Sequence, residues 1–174
     1  MSRNETIANV FATFLTVLIA AIFVVYVPYR MVISENHEII PEIGSLRYVG
    51  PILILMGIWG YLWGLRSFIL EAQGSPLPEH QQNLMINGLY RRVRNPLYVS
   101  FFLIIFGEAL YFQSLHLIFY LVGWAVVFHL MVIFCEEPAL RIRFGESYER
   151  YCKSVPRWLP RLKMPGREGK RASD

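Results

Sequence analysis

The chain has 174 residues, 55% of them hydrophobic and 15% aromatic, and a mean hydropathy of +0.38, above the range of ordinary soluble domains. Seventeen Lys and Arg against thirteen Asp and Glu leave a net charge of +4, an excess that reads as a membrane-topology signal reinforced by anionic lipid, with no nucleic-acid partner expected. Two cysteines, Cys135 and Cys152, make neither a disulfide framework nor a metal-ligand set, so no metal is expected.

A helix needs about 20 mostly apolar residues to cross a hydrocarbon core of roughly 30 Å, and four stretches qualify. Residues 7–29 carry no charge. They are too long for a signal peptide and lack a small-x-small cleavage site after "FVVYVPYR", so they read as a retained span. Residues 30–47 read as an exterior loop with Pro41 and Gly44 as turn residues. The second span covers 48–65 and extends to Leu70 if Arg66 snorkels to the headgroups. Its Gly57, Gly60 and Gly64 let another helix approach closely, and packing within the chain is expected over a dimer seam.

Residues 71–95, "EAQGSPLPEHQQNLMINGLYRRVRN", form a long loop ending on a basic cluster. The third span, 96–112, contains Glu108, for which a structural hydrogen bond toward the outer interface is expected. Only "QSL" separates it from the fourth span, 115–135, so the two should form a tight antiparallel hairpin whose other ends, near residues 95 and 136, lie close in space. His129, one to two turns before the acids, is within reach of a pocket there, with a packed core histidine the favoured reading, and His116 at the outer turn reads as facing water.

The basic residues then orient the chain. One precedes the first span, two lie between spans one and two, four between two and three, none between three and four, and ten follow. One face therefore holds fifteen and the other two, which places both termini and the 71–95 loop in the cytoplasm. The expected fold is all-α: a polytopic membrane helical bundle of about four transmembrane helices with a C-terminal cytoplasmic amphipathic segment, residues 1–162 forming one domain and 163–174 a disordered basic tail.

At the end of the fourth span stand Glu136, Glu137 and Pro138. Proline has no amide donor and clashes with the preceding turn, so the helix should kink or restart there. Beyond it Leu140, Phe144, Tyr148 and Tyr151 recur at helical spacing among charged residues, suited to lying against the bundle or the headgroups. Gly145 is positioned to break this segment in two.

The residues that can carry chemistry are polar groups placed where they are costly. Taken alone, Glu136 and Glu137 can be span caps paired with Arg141 or Arg143. The hairpin, however, brings them beside Arg94, Asn95, Pro96 and Tyr98. That is the division of labour a zwitterion needs: carboxylates for an ammonium, and guanidinium, amide or hydroxyl donors for a carboxylate.

The stretches "NGLYRRVRNPLYVS" and "EEPALRIRFGESYERYCKSVPRWLP", separated by an apolar run, resemble the membrane methyltransferases that include isoprenylcysteine carboxyl methyltransferase and the phospholipid N-methyltransferases. The shared pattern is G-x-Y, R-H-P-x-Y-x-G, an apolar span, then E-E with F-G-x-x-Y-x-x-Y and a basic, proline-containing close, covering residues 74–161. The resemblance implies S-adenosylmethionine bound at the cytoplasmic ends of the last helices, with no dinucleotide-binding sheet. Carried over by position, Gly88, Tyr90, Arg94, Asn95, Pro96, Tyr98, Glu136 and Glu137 line or shape the cofactor pocket. Two positions depart from the pattern: its histidine is Asn95 here, and its closing glycine is Ser100.

Transfer of a methyl group from a sulfonium to an anionic nucleophile destroys charge, which a dry pocket with aligned reactants favours. For a carboxylate-bearing acceptor, Arg143 is the candidate positioning group, with Arg141 competing and a headgroup-facing role as the alternative. The resemblance leads to a lipophilic acceptor, with isoprenylcysteine carboxyl O-methylation first and lipid amines or small thiols as alternatives. Two further readings remain: an NADPH-dependent reductase of the sterol type, using the "RRVR" cluster for the 2′-phosphate, and a non-catalytic membrane subunit on the same scaffold.

Overall fold

The computed structural model describes residues 17–19, 21–33, 43–71 and 88–160. The beginning of the first expected span, the centre of the exterior loop, most of the 71–95 loop and the expected disordered tail lie outside the described residues. Among those described, the regular elements are helical and no strand element forms. A π-turn, Ile22–Tyr26, runs into α1 (Val27–Ile33), and a 3-10 turn, Gly44–Tyr48, leads into α2 (Val49–Glu71). A second 3-10 turn, Gly88–Arg91, precedes α3 (Pro96–Phe112). Helix α4 (Leu115–Met131) continues through a π-turn, Val132–Glu136, into α5 (Glu137–Phe144), and α6 (Glu146–Ser154) follows.

Among the described residues two helices are long and apolar enough to cross a membrane: Gly44–Ser67, with mean hydropathy 1.5, and Leu115–Phe144, with mean hydropathy 2.4. Only 22% and 11% of their most apolar stretches is buried within the chain, so Leu55, Trp59, Phe119 and Phe134 face outward. A soluble core helix would bury these side chains; outward apolar faces of this extent fit the hydrocarbon of a bilayer. Val17–Ile33 and Pro96–Phe112 are also apolar but shorter, so two full-length candidates stand where the sequence predicts four spans.

Pro138 in the long Leu115–Phe144 helix and Pro28 in the shorter Val17–Ile33 helix are absorbed by widened turns rather than by breaks. The Glu137 N–H reaches the Val132 carbonyl, an i→i+5 bond that opens room for the Pro138 ring, which in a regular α-turn would meet the carbonyl four residues back. The expected kink or restart is therefore a π-turn inside one 30-residue helix. Pro28 is treated alike: Val27 N–H bonds to the Ile22 carbonyl. The next π-type donor would be Pro28, which has no N–H, and the Phe23 carbonyl accepts the Tyr120 hydroxyl at 2.9 Å instead. That bond joins the first apolar helix to α4.

Helices α2 and α3 meet along a seam of small residues. A Cβ on Gly57 would lie 2.8 Å from the Ser100 carbonyl, one on Gly60 2.7 Å from Ser100 Oγ, and one on Gly64 2.9 Å from Leu97. The expected intrachain role of these glycines holds. The seam continues to a contact that sequence reasoning did not single out, where a Cβ on Gly50 would be 2.5 Å from the Gly107 carbonyl. Gly50, Gly57 and Gly64 recur every seven residues, the period that keeps one face turned to a left-handed neighbour.

The α3–α4 connection is as short as predicted. Gln113 takes a left-handed conformation (φ 53°), and its N–H and that of Ser114 both bond to the Ala109 carbonyl. At the opposite end of the hairpin, Gly145 (φ 51°) separates α5 from α6. Tyr148, Tyr151 and Val155 are buried against Leu140, Phe144 and Cys152, and the Tyr151 hydroxyl donates to the Tyr90 carbonyl at 2.8 Å. The apolar stripe of this segment thus packs against the chain itself.

Candidate functional site

The hairpin brings the start of α3 against the α4–α5 junction. Pro96 at the first turn of α3 suits its fixed φ and missing donor, and it sets Tyr98 so that its hydroxyl donates a short hydrogen bond to Glu136. Arg94, two residues before the helix, donates from NH1 to Glu137 Oε1 at 2.9 Å and to Cys152 Sγ at 3.1 Å. Its backbone N–H bonds to the Pro156 carbonyl. Asn95 leaves the N-terminus of α3 uncapped by its side chain and instead donates from Nδ2 to the Arg157 carbonyl at 3.3 Å. The segment 155–158 is thereby strapped across the start of α3.

The two glutamates, adjacent in sequence, have different surroundings. Glu137 is 3% exposed and surrounded by three guanidinium groups. Arg157 binds it in bidentate fashion, Nε to Oε1 at 2.6 Å and NH2 to Oε2 at 3.0 Å. Arg94 shares Oε1, and Arg141 stands 3.7 Å from Oε2. Hydrogen bonding to Glu137 raises the pKa of Arg157 above its ordinary value. Glu136 is half-buried, and among the described residues it has the Tyr98 hydroxyl as partner and no arginine in ion-pair distance.

Aromatic rings wall this end of the hairpin. Tyr98 stacks on Phe128 with centroids 4.5 Å apart, and Trp158 lies 6.4 Å from Tyr98, 5.9 Å from Phe102 and 6.0 Å from His129. The Trp158 indole N–H donates to His129 Nδ1 at 3.1 Å. His129 is therefore an exposed residue held by the strap, not the core histidine the sequence predicts. Arg94 Nε is buried without a partner among the described residues. A donor left in that state costs free energy, and an anionic ligand is the group that would relieve it.

The remaining predicted residues take supporting places. Gly88 adopts φ 58° in the turn before α3, where a Cβ would come within 3.1 Å of Ser67 Oγ. Tyr90 is buried and receives the Tyr151 hydroxyl on its carbonyl. Ser100 turns toward α2, bonding to the Pro96 carbonyl at 2.8 Å in the space left by Gly60, so its hydroxymethyl group is accommodated at the seam. Arg143 is exposed and lies over the Phe144 ring at 5.6 Å, while Arg141 is drawn to Glu149 at 2.8 Å. Glu108 has its Oε2 buried with no partner among the described residues.

Sequence reasoning missed Arg157 and Trp158, the residues of the strap that touch the site. The available signal was "VPRWLP", an arginine and a tryptophan between two prolines that bar the helix from continuing. No group of three or more potential metal ligands occurs among the described residues.

Comparison with known proteins adds three findings. The profile of a family described as phospholipid methyltransferase matches residues 46–147. Among curated proteins, the chain is 39% identical over 79 residues to a protein-S-isoprenylcysteine O-methyltransferase of Schizosaccharomyces pombe, covering 44% of this chain and 33% of that protein. It is 31% identical over 123 residues to a methanethiol S-methyltransferase of Crocosphaera subtropica (67% and 45% covered), and 33% identical over 101 residues to methanethiol S-methyltransferase 2 of Bradyrhizobium diazoefficiens (58% and 37%). The chain thus spans less than half the length of these relatives. No solved structure matches it.

Proposed function

The chain belongs to the phospholipid methyltransferase family, and from that premise we propose that it is an integral membrane methyltransferase that uses S-adenosylmethionine to methylate a lipophilic acceptor arriving from the bilayer. The observation that carries this reading is the convergence, at one end of the α3–α4 hairpin, of a carboxylate (Glu136) without a cation among the described residues, a buried guanidinium donor (Arg94 Nε) without an acceptor among them, and an aromatic wall. A ligand combining a positive sulfonium, a carboxylate and a flat heteroaromatic ring matches all three.

These residues fit the methyl donor in kind. Arg94 is the group for its carboxylate, with Asn95 and the strap holding Arg94 in place; the rings of Tyr98, Phe128 and Trp158 suit its adenine or its cation. Glu137 serves this pocket indirectly, by fixing Arg94 and Arg157. When bound, S-adenosylmethionine supplies an electrophilic methyl group on a positively charged sulfur. The chain's own contribution is to orient the acceptor, exclude water through its aromatic wall and balance the charge that disappears.

The acceptor is lipophilic on this reading because the site opens from a bundle whose faces are apolar. The relatives include enzymes named for isoprenylcysteine and for methanethiol, which share an apolar body and differ in the nucleophile. An isoprenylcysteine-type carboxyl acceptor needs a cation to hold it, and Arg143, exposed beside the Phe144 ring, is the candidate for that role. Residues 1–162 act as a single membrane domain of four spans, the two shorter apolar helices crossing beside the longer ones. On this reading both termini and the site face the cytoplasm, which the excess of basic residues on that face supports.

The test is the thermal unfolding midpoint of the purified chain in lipid nanodiscs, alone, with S-adenosylmethionine and with NADPH. A ligand at 100 times its dissociation constant stabilises the native state by about 2.7 kcal/mol. A rise with S-adenosylmethionine supports the proposal. A folded protein that responds only to NADPH is a reductase, and one that responds to neither is a non-catalytic subunit.

A further inference from the structure

Arg47 stands at the end of the bundle remote from Glu136. Tyr98 and Tyr111 lie on the same helix α3, about 20 Å apart at 1.5 Å per residue, and Tyr111 is the one that Arg47 meets. We propose that Arg47, held against the rings of Tyr48 and Tyr111, binds the phosphodiester of one membrane phospholipid at that face. The site is separate from the methyl-transfer pocket and does not depend on that reading.

Local structure places the side chain. Gly44, with φ 55°, opens the 3-10 turn Gly44–Tyr48. One turn after Arg47 the seam between α2 and α3 presses Gly50 onto Tyr111, where a Cβ on the glycine would lie 2.9 Å from the Cβ of the tyrosine. Residues three apart share a helix face, so Arg47 comes to the same side as Gly50. Its guanidinium carbon lies over the Tyr111 ring at 5.7 Å and over the Tyr48 ring at 5.6 Å.

The guanidinium therefore has two rings and, among the described residues, no anion. No carboxylate stands within ion-pair distance of it; Glu108, one turn before Tyr111 on α3, does not reach it. Its Nε is buried without a hydrogen-bond partner among the described residues, a state that costs free energy. Contact with two tyrosine rings offsets part of that cost. It also fixes the side chain beforehand, so less rotamer freedom is lost when a ligand binds. The planar fork of a guanidinium matches two oxygens of a phosphodiester.

Depth identifies the occupant. Gly44–Ser67 has 24 residues, about 36 Å of helix against a hydrocarbon core of roughly 30 Å, so its first turn emerges at the headgroups. Leu46, Tyr48, Tyr111 and Phe112 are exposed there, and Tyr111 packs edge-on against Phe112 with centroids 5.0 Å apart. Such a rim suits the glycerol backbone and first acyl carbons of an interfacial lipid. At this depth the abundant anion is the lipid phosphate. The site is accordingly assigned to the phosphodiester, whatever headgroup follows it.

The experiment delipidates the full chain in a non-ionic maltoside, then follows native mass spectra and unfolding midpoints as one of three probes is added: dioleoyl phosphatidylcholine, a digalactosyl diacylglycerol with the same acyl chains, or inorganic phosphate. The wild type should retain one phosphatidylcholine and gain stability from it, and respond weakly to the other two. Arg47→Gln should bind that lipid about tenfold or more weakly, the loss expected for a charge-assisted hydrogen bond. Arg47→Lys, which keeps the charge without the fork, should fall between them. Tyr111→Leu should weaken binding with the cation still present. Arg30→Gln removes another exposed cation of the described chain and should change nothing.

The inference is overturned if the galactolipid binds as tightly as phosphatidylcholine, if inorganic phosphate alone gives the full stabilisation, if Arg47→Gln retains the lipid as the wild type does, or if Arg30→Gln loses it equally. Where Arg47→Gln does not fold, Arg47→Lys and Tyr111→Leu decide, and wild-type retention by both overturns it. A wild type that ignores S-adenosylmethionine yet holds its phospholipid through Arg47 removes the methyltransferase reading and leaves this site standing.

Discussion

Arg157 and Glu137, twenty residues apart, are joined by two hydrogen bonds of 2.6 and 3.0 Å. Through this pair the segment after α6 is fastened to the end of the long membrane helix, and Arg94 joins the same carboxylate from the start of α3. Three separate parts of the chain therefore meet on one buried side chain.

Replacing Glu137 by Gln should be costly. It leaves Arg94 and Arg157 charged and without their acceptor, and breaking a buried pair by removing one partner costs about 3 kcal/mol or more. The partial exposure of Arg157 places the loss at the lower end. Thermal unfolding in nanodiscs measures it, and a cycle with Arg157→Met should show the two substitutions to be strongly non-additive. Additive losses would mean that the pair is not a unit.

The glycine seam predicts opposite outcomes at two glycines. Gly50→Val puts a Cβ 2.5 Å from the Gly107 carbonyl and 2.9 Å from Tyr111, and such overpacking destabilises by about 1–3 kcal/mol. Gly123→Ala on α4 meets nothing within 4 Å and should be neutral, or stabilising by up to about 1 kcal/mol through helix propensity. Unfolding midpoints of the two variants, each referred to wild type, test the seam; equal effects would contradict it.

Asn95→Ala removes the side-chain bond to the Arg157 carbonyl. The expected loss of stability is about 1 kcal/mol, with faster proteolytic cleavage near residues 155–160 under native conditions. Unchanged cleavage would show that the backbone bond from Arg94 to Pro156 and the Arg157–Glu137 pair suffice to hold the strap.

Alkaline stability should depend on the Tyr148–Tyr151 cluster. Burial, and then the nearby Cys152 and Glu137, raise the pKa of Tyr148; burial, and then Tyr148, raise that of Tyr151. The folded state thus keeps phenol protons that the unfolded chain releases near pH 10. Below about pH 10 this contribution is fully present, and it is lost as pH climbs through the raised folded-state values. Unfolding midpoints between pH 8 and 12 should fall above pH 10, and Tyr148→Phe should flatten that fall.

Much of the site is legible in the amino-acid sequence alone. The pairing of "RNPLY" with "EEP" follows from a hairpin with a minimal turn, and Tyr98–Glu136 and Arg94–Glu137 both form. The intrachain use of Gly57, Gly60 and Gly64 is legible from their spacing. Arg157 and Trp158 are not, because nothing in the spacing of a proline-flanked segment tells which part of the fold it returns to. The continuity of the last long helix is hidden as well: Pro138 signals a disturbance, and only the geometry of the turn decides between a break and a widened helix.

By itself, the sequence determined that this is a membrane-embedded helical chain with acidic and basic groups converging at one end of a hairpin, because apolar length, proline placement and turn length are local properties. Only the tertiary structure decided that Glu137 receives the arginines and Glu136 receives the tyrosine. Neighbouring residues on a helix point about 100° apart, so two identical side chains entered different surroundings. Those surroundings are assembled from α3 and the strap, whose positions depend on contacts far apart in the chain.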